Sequence, residues 1–234
     1  MTSPVTFEHD GRVSSITMDD GKVNVFSPAM LGALHSAFDQ AEEAGGVVLL
    51  TGRPGYFSAG FDLGVIRDRP DEVVPMLRLG ATLARRILAF PVPVVVGCTG
   101  HAFPAGAFLL MAGDVRVGAG GPFSMGLNEV RIGLSLPEFA VVLARYRLTP
   151  AAFDRTAVTG TMFDPVAAVA AGLLDVVVPP EELHAAAYAA AEDLTAVDRR
   201  AHLATKLRVR APVLRDLDAA IDSELTDGGA PVGD

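Results

Sequence analysis

The chain reads as an α/β protein, on three observations. Two short runs, Val47 to Thr51 and Pro91 to Cys98, are almost wholly apolar without alternation, as in strands covered on both faces. Longer stretches carry apolar residues at three- and four-residue spacing, and several open with proline. Strands and helices alternate through most of the chain, which is the pattern of an α/β architecture.

In order, Val13 to Met18 alternates loosely and is expected to be a strand, closed by the turn signal Asp19-Asp20-Gly21. Pro28 to Ala44 has helical spacing at Met30, Leu31, Leu34, Phe38 and Ala41, with Ser27 as N-cap and Pro28 at the first helical position. The strand Val47 to Thr51 precedes a Gly/Pro turn at 52–55. Next come a helix over Asp71 to Phe90, the strand Pro91 to Cys98, a helix over Ala105 to Ala112 and a strand over Val115 to Val117. Pro137 to Tyr146, Pro150 to Thr159 and Pro165 to Ala171 each read as a helix, and Leu174 to Val178 as a strand. From Pro180 to about Leu225 the pattern is helical and alanine-rich. Asp227 to Asp234 reads as a frayed tail. The expected division is a core over residues 1–180 and a helical segment over 181–234, packed on that core or on a neighbouring subunit.

Composition narrows the function classes. Half of the 234 residues are hydrophobic, and the mean hydropathy is +0.36. No run of about 18 apolar residues suggests a membrane span, and Met1 to Asp10 carries Glu8 and Asp10 with no apolar core, unlike a secretory signal. So much apolar surface favours self-association over a monomer. A net charge of −9 argues against nucleic acid as partner. The single cysteine, Cys98, excludes an internal disulfide, fits a reducing cytoplasm and reads as a buried small hydrophobe. No Cys or His pair has zinc-ligand spacing, so no metal is expected. Neither GxGxxG nor GxxxxGK[ST] occurs.

Three segments could carry chemistry. In Phe103-Pro104-Ala105-Gly106-Ala107, proline starts a helix, and the N–H groups of Ala105 and Gly106 fall among the first four, which lack an intrahelical acceptor. They sit at the positive end of the helix dipole, suited to a developing oxyanion. The alternative is an ordinary helix start with small residues for packing. In Tyr56 to Leu63, a small-Gly-X-Asp segment after a strand can expose a second N–H, at Phe61, with Asp62 as a cap for the next element; alone, it reads equally as a tight turn. In Gly126-Leu-Asn-Glu129, one carboxylate stands a short distance downstream; its alternative is a surface residue paired with Arg131.

Taken together these segments resemble the crotonase (enoyl-CoA hydratase/isomerase) superfamily. Asp20-Gly-Lys-Val-Asn-Val is similar to its early substrate loop, Phe57-Ser-Ala-Gly-Phe-Asp-Leu to its first oxyanion loop, Gly100 to Asp114 to the second loop and its helix, and Phe123 to Gly133 to its catalytic-glutamate segment. The resemblance runs from about residue 5 to residue 210. It implies a spiral of ββα units followed by C-terminal helices that trimerise, giving a homotrimer or hexamer. It implies an acyl-CoA substrate, with coenzyme A as part of the substrate and no separate cofactor. The thioester oxygen would lie between the N–H groups of Phe61 and Ala105, with Ala59, Asp62 and Leu63 along the adenine and pantetheine and Lys22 and Val23 flanking them. Phe103, Gly106 and Phe108 would complete the pocket.

One position departs from the hydratase pattern. Related hydratases carry Gly-Gly-Gly-X-Glu in the second loop, and that glutamate helps hold the attacking water; here the corresponding residue is Phe108. The second glutamate of the pair is matched by Glu129. Pro-Ala-Gly in the second loop and Gly-Leu-Asn-Glu at the acid/base resemble instead the mitochondrial-type 3,2-enoyl-CoA isomerases, which use one glutamate. The expected activity is therefore isomerisation of 3-enoyl-CoA to 2-enoyl-CoA. The alternatives are 2-enoyl-CoA hydration with a nonstandard water site and non-catalytic acyl-CoA binding. His101, beside the second loop, is read as a structural or pocket-rim histidine, and Asp114 with Arg116 as a structural pair. Arg199, His202, Lys206 and Arg210 share one face of a helix, read either as solvated or as a cationic contact for CoA phosphates, with Lys206 the candidate.

Overall fold

The computed structural model describes residues 3–225; the segment Asp227 to Asp234, expected to fray, lies outside them. The elements are β1 (Val5–His9), β2 (Val13–Met18), β3 (Val25–Phe26), α1 (Pro28–Ala44), β4 (Val47–Thr51), β5 (Gly55–Ser58), β6 (Gly60–Phe61), α2 (Leu63–Asp68), α3 (Pro70–Leu88), β7 (Val94–Cys98), β8 (Gly100–Ala102), α4 (Pro104–Ala112), β9 (Val115–Ala119), a 3₁₀ turn at Glu129–Ile132, α5 (Glu138–Arg147), α6 (Pro150–Thr159), α7 (Pro165–Ala171), β10 (Val176–Val178), a second 3₁₀ turn at Pro180–Glu182, α8 (Leu183–Leu194) and α9 (Arg199–Glu224).

Six strands form one sheet in the order β1-β2-β4-β7-β9-β10. Only the β1–β2 pair is antiparallel; the other neighbours are parallel. Two small parallel pairs, β3–β6 and β5–β8, stand off it. The long strands β2, β4 and β7 are each followed by one or two short strands and then by helix, which is the expected spiral of ββα units. The apolar runs behave as two-sided strands: Val48, Leu50, Val94 and Val96 face the main core, while Val47, Leu49 and Val95 face Leu183, Ala187 and Ala191 of α8.

Local chemistry explains the helix ends. Ser27 accepts a hydrogen bond from the Met30 amide, Pro28 occupies the first turn, and Gly45 closes α1 in the left-handed conformation. Helix α4 is buried from Ala105 through Ala112, so it is apolar all round and central.

Several expectations need correction. The structure adds β1, where Val5-Thr6-Phe7-Glu8 alternates apolar and polar over only two periods, with Val5 buried and Phe7 half-buried against the core. The strand expected from Leu174 begins at Val176; Leu174 instead packs its side chain over Gly118. The helical stretch after Pro180 is broken by Thr195 to Asp198, and Asp198 caps α9 through the Ala201 amide. Both resulting helices lie on the rest of the chain, α8 on the sheet and α9 against α3 and α5.

Candidate active site

Three separate segments converge on one cavity of about 320 Å³. The first is the β5–β6 loop, which a buried polar knot shapes. Asn24 has a left-handed backbone, φ +54°, and its Nδ2 donates to the carbonyls of Met18 (2.9 Å) and Phe57 (3.2 Å). The Ser58 hydroxyl donates to the Asn24 carbonyl (2.7 Å) and accepts from the Gly60 amide (3.1 Å). The Val23 carbonyl takes the Ala59 amide at 2.9 Å. Asp62 N–H reaches the Phe26 carbonyl, and because strand amides alternate in direction, the Phe61 N–H turns away from that ladder.

The second segment is β8 with the start of α4. The Phe103 amide donates to the Ser58 carbonyl at 3.0 Å, which fastens it to the first. Gly60 has φ +92°, and a Cβ there would lie 3.7 Å from the Ala105 nitrogen, so the two loops meet backbone to backbone. Gly106 and Ala107 amides both turn back to the Phe103 carbonyl. The Ala105 amide has no such acceptor, as the first turn of a helix leaves it.

The third segment delivers the carboxylate. Ala102 and Gly126 are bonded (3.1 Å), and Met125 exchanges two hydrogen bonds with Phe163. The fully buried Thr156 of α6 accepts the Leu127 amide on its hydroxyl at 3.0 Å. The chain then enters the 3₁₀ turn, where Glu129 is 7% exposed. Its Oε2 is buried without a hydrogen-bond partner among the described residues. The expected alternative, a pair with Arg131, is not formed: the Arg131 Nε donates to the Thr159 carbonyl. Burial raises the Glu129 carboxyl from 4.5 to about 7, since a carboxylate without water or a cation is disfavoured.

Among the described residues Glu129 is the only titratable group lining the cavity, whose walls are otherwise apolar apart from Asn128 and Ser135. Ala59, Phe61, Leu63, Phe103 and Phe108 line it. Phe108 stands between Phe61 and Phe139, with ring centroids 6.4 and 5.4 Å away. Ile66, Pro70, Val73 and Leu77 of α2 and α3 form a further wall that no motif signals; the amphipathic stripe of α3 is its only trace in the residue pattern.

Other expected residues lie outside the cavity. Lys22 is exposed, its carbonyl taking Arg53 Nη1, and the Val23 carbonyl supports Ala59. Asp62 caps α2 through the Gly64 amide (2.8 Å), and Gly106 packs on Ser58. His101 accepts the Ser124 amide on Nδ1 (3.1 Å) amid Tyr56, Phe103 and Phe123, which fits its structural reading. Cys98 is buried, and burial pushes its thiol up to about 12.

Lys206 is a correction. Its side chain is 3% exposed and bonded to Asp114 at 2.7 Å, so its charge is committed within the chain rather than free for a phosphate. Arg210 joins the same carboxylate at 2.8 Å. The expected Asp114–Arg116 pair is also replaced: Arg116 bonds Asp175.

Comparisons with known proteins identify the family. The family model described as enoyl-CoA hydratase/isomerase matches residues 8–227. A solved enoyl-CoA hydratase/isomerase family protein from Pseudomonas syringae superposes with a TM-score of 0.93 at 45% identity, covering 95% of this chain and 96% of that one. The mitochondrial enoyl-CoA delta isomerase 1 of Homo sapiens is 28% identical over 77% of this chain, which spans only 60% of that protein's length. A putative enoyl-CoA hydratase of Thermus thermophilus is 33% identical over 79% of this chain and 75% of its own length. With a match over nearly its whole length and a site built from the segments that carry the resemblance, the chain belongs to the enoyl-CoA hydratase/isomerase family.

Proposed function

We propose that the protein isomerises 3-enoyl-CoA to 2-enoyl-CoA with Glu129 as its one acid/base. The observation that carries this reading is a single buried carboxylate, its Oε2 without a partner among the described residues, in a cavity otherwise apolar apart from Asn128 and Ser135. Glu129 removes the proton from C2 of the 3-enoyl thioester. The C2–H electrons form a C1–C2 double bond and displace the carbonyl electrons onto the thioester oxygen, giving a dienolate conjugated with C3–C4 whose oxygen takes the amides of Phe61 and Ala105. Such preorganised donors act only as charge develops, which lowers the barrier rather than merely binding substrate. The carboxyl then returns the proton at C4, and the double bond lies between C2 and C3. No water enters, and Phe108 keeps that wall dry. A carboxyl poised near 7 suits both halves of the transfer.

In this reading Ala59 and Leu63 flank the pantetheine, while Lys22, Val23 and Asp62 shape the rim that receives the nucleotide end. Coenzyme A is part of the substrate, and no further cofactor takes part. Among the described residues no group of three or more His, Cys, Asp or Glu could hold a metal, and no helix is long and apolar enough to cross a membrane. The exposed Val130, Ile132, Val158 and Val166 supply apolar surface for a homotrimer or hexamer, which light scattering at micromolar concentration would register; a monomeric mass would contradict it.

One observation favours a second reading. Asn128 Oδ1, like Glu129 Oε2, is buried without a partner among the described residues, and both residues line the cavity, so the site holds a second acceptor that a water for 2-enoyl-CoA hydration could use. Incubation with 3-enoyl-CoA and with 2-enoyl-CoA, with separation of products, decides between them. An isomerase makes 2-enoyl-CoA from the first and little 3-hydroxyacyl-CoA from either. Hydration of 2-enoyl-CoA at a rate comparable with isomerisation would sink the first reading.

A further inference from the structure

The acyl wall holds a feature that the reaction does not use. Val73 and Leu77 of α3 line the cavity, and the same face of the helix continues, one turn on, to Gly80. A Cβ at Gly80 would lie 2.6 Å from two atoms of the Phe61 ring. The ring therefore rests on bare helix backbone, and the Phe108 ring of α4 lies 6.4 Å from it between centroids. Gly80 is buried in the interior of a 19-residue helix, where glycine is among the least favourable residues. Its backbone is ordinary helix, so nothing in its own conformation demands glycine. What alanine would disturb is the seat of the Phe61 ring.

We propose that Gly80 is a specificity-determining residue: by seating the Phe61 ring it sets the width of the acyl cavity, and so the length of acyl chain the protein accepts. The ring is a partition between α3 and α4. Seated on Gly80 it leaves room for a medium or long unbranched chain along Leu63, Ile66, Val73 and Leu77. Pushed off, it swings into that room. This inference rests on the acyl-CoA reading of the cavity, not on which reaction the site performs.

The test is calorimetric binding of saturated butyryl-CoA and decanoyl-CoA, which cannot react at C3–C4. Each methylene excluded from an apolar site weakens binding about fourfold. Gly80→Ala is therefore expected to weaken decanoyl-CoA by at least about 10-fold, the exclusion of two methylenes, and butyryl-CoA by less than about threefold. The double variant Gly80→Ala/Phe61→Leu removes the ring that clashes, keeps the Phe61 backbone amide, and is expected to restore decanoyl-CoA binding. Unchanged binding of both ligands by Gly80→Ala overturns the proposal. So does an equal loss of both, or a loss that the double variant fails to repair. Alanine favours the helix, and thermal melts of both variants check that they fold. Assay of the wild type with 3-enoyl-CoA runs alongside. Length-dependent binding without conversion would sink the isomerase reading and leave the Phe61 wall standing.

Discussion

The two ends of helix α4 treat charge in opposite ways. Beyond its C-terminus, Asp114 takes Lys206 at 2.7 Å, Arg210 at 2.8 Å and the Val94 amide at 2.7 Å. Arg147 donates to the carbonyls of Met111 and Gly113, both at 2.8 Å, which satisfies the last turn of the helix where cations are favoured. At the N-terminus the Ala105 amide is left without an acceptor among the described residues, and among them Glu129, which lines the cavity, has neither cation nor donor on Oε2. Both carboxylates are largely removed from water. One is fully compensated and reads as scaffold; the other is left uncompensated at a cost to the fold. In a buried polar group, the missing partner is the better sign of chemistry.

The largest effects should separate these two ends. Glu129→Gln is expected to lower isomerase turnover by at least about 100-fold, the usual scale for a general acid–base, while acyl-CoA binding and folding persist. Asp114→Asn is expected to do the reverse. It leaves two buried cations with no counter-charge, a loss of about 3–5 kcal/mol, and turnover per folded molecule stays unchanged. Steady-state kinetics and urea melts of both variants measure the contrast. A Glu129→Gln variant of full activity would mean that the base is not among the residues lining the cavity and would sink the single-carboxylate reading.

The pH dependence sharpens it. The folded carboxyl of Glu129 stands above its ordinary value, at about 7 against 4.5. The fold therefore prefers the protonated form, and the contribution of this group to stability is full below about pH 4.5 and lost as pH rises through about 7. Relative to Glu129→Gln, the wild type should lose up to about 3 kcal/mol across that window. Turnover moves the opposite way, since abstraction needs the ionised form: kcat/KM should rise with pH along a limb centred near 7. Parallel stability and rate profiles would check both signs. An acid limb at an unperturbed glutamate value would mean that the carboxyl is hydrated in solution.

A smaller effect tests how the carboxylate is held. Thr156→Val keeps the shape of the side chain but leaves the buried Leu127 amide without its acceptor, two residues before Glu129. A loss of about 10-fold in kcat is expected with KM little changed, on the scale of roughly 1.4 kcal/mol for one mispositioned contact. Thr156→Ser should retain the rate. Equal losses in both variants would assign Thr156 to packing alone.

How far the residue pattern foretells the structure depends on contact range. Proline, small residues and an apolar run mark α4 and its free amides, and Ser27 with Pro28 marks α1, because such signals act within a few residues. Strands β3, β5, β6 and β8 escape, being two to four residues long, too short for alternation to register. The Asn24–Ser58 knot spans 34 residues and Thr156 lies 29 from Leu127; nothing local ties them. The face bearing Lys206 and Arg210 is visible as a row of cations. Its partner Asp114 lies 92 residues from Lys206, and a helical repeat shows which residues share a face, not what that face meets.

The smallest expected effect concerns the dry wall. Phe108 occupies the position where related hydratases carry a water-holding glutamate, and it is 2% exposed between Phe61 and Phe139. Phe108→Glu supplies a second carboxylate facing Glu129. If the wall excludes water from the reaction, the variant should raise the ratio of 3-hydroxyacyl-CoA formed to double bond shifted. The gain should be slight, because catalytic groups must be placed to within about 0.5 Å and a new buried charge costs several kcal/mol unless paired. Isomerase turnover should fall at the same time, since the two carboxylates share one site and repel, which raises at least one of their pKa values further. The measurement is product partitioning at several pH values. A variant that keeps wild-type partitioning while remaining folded and active would show that Phe108 does not govern access of water, and the single-carboxylate reading of the site would then rest on Glu129 alone.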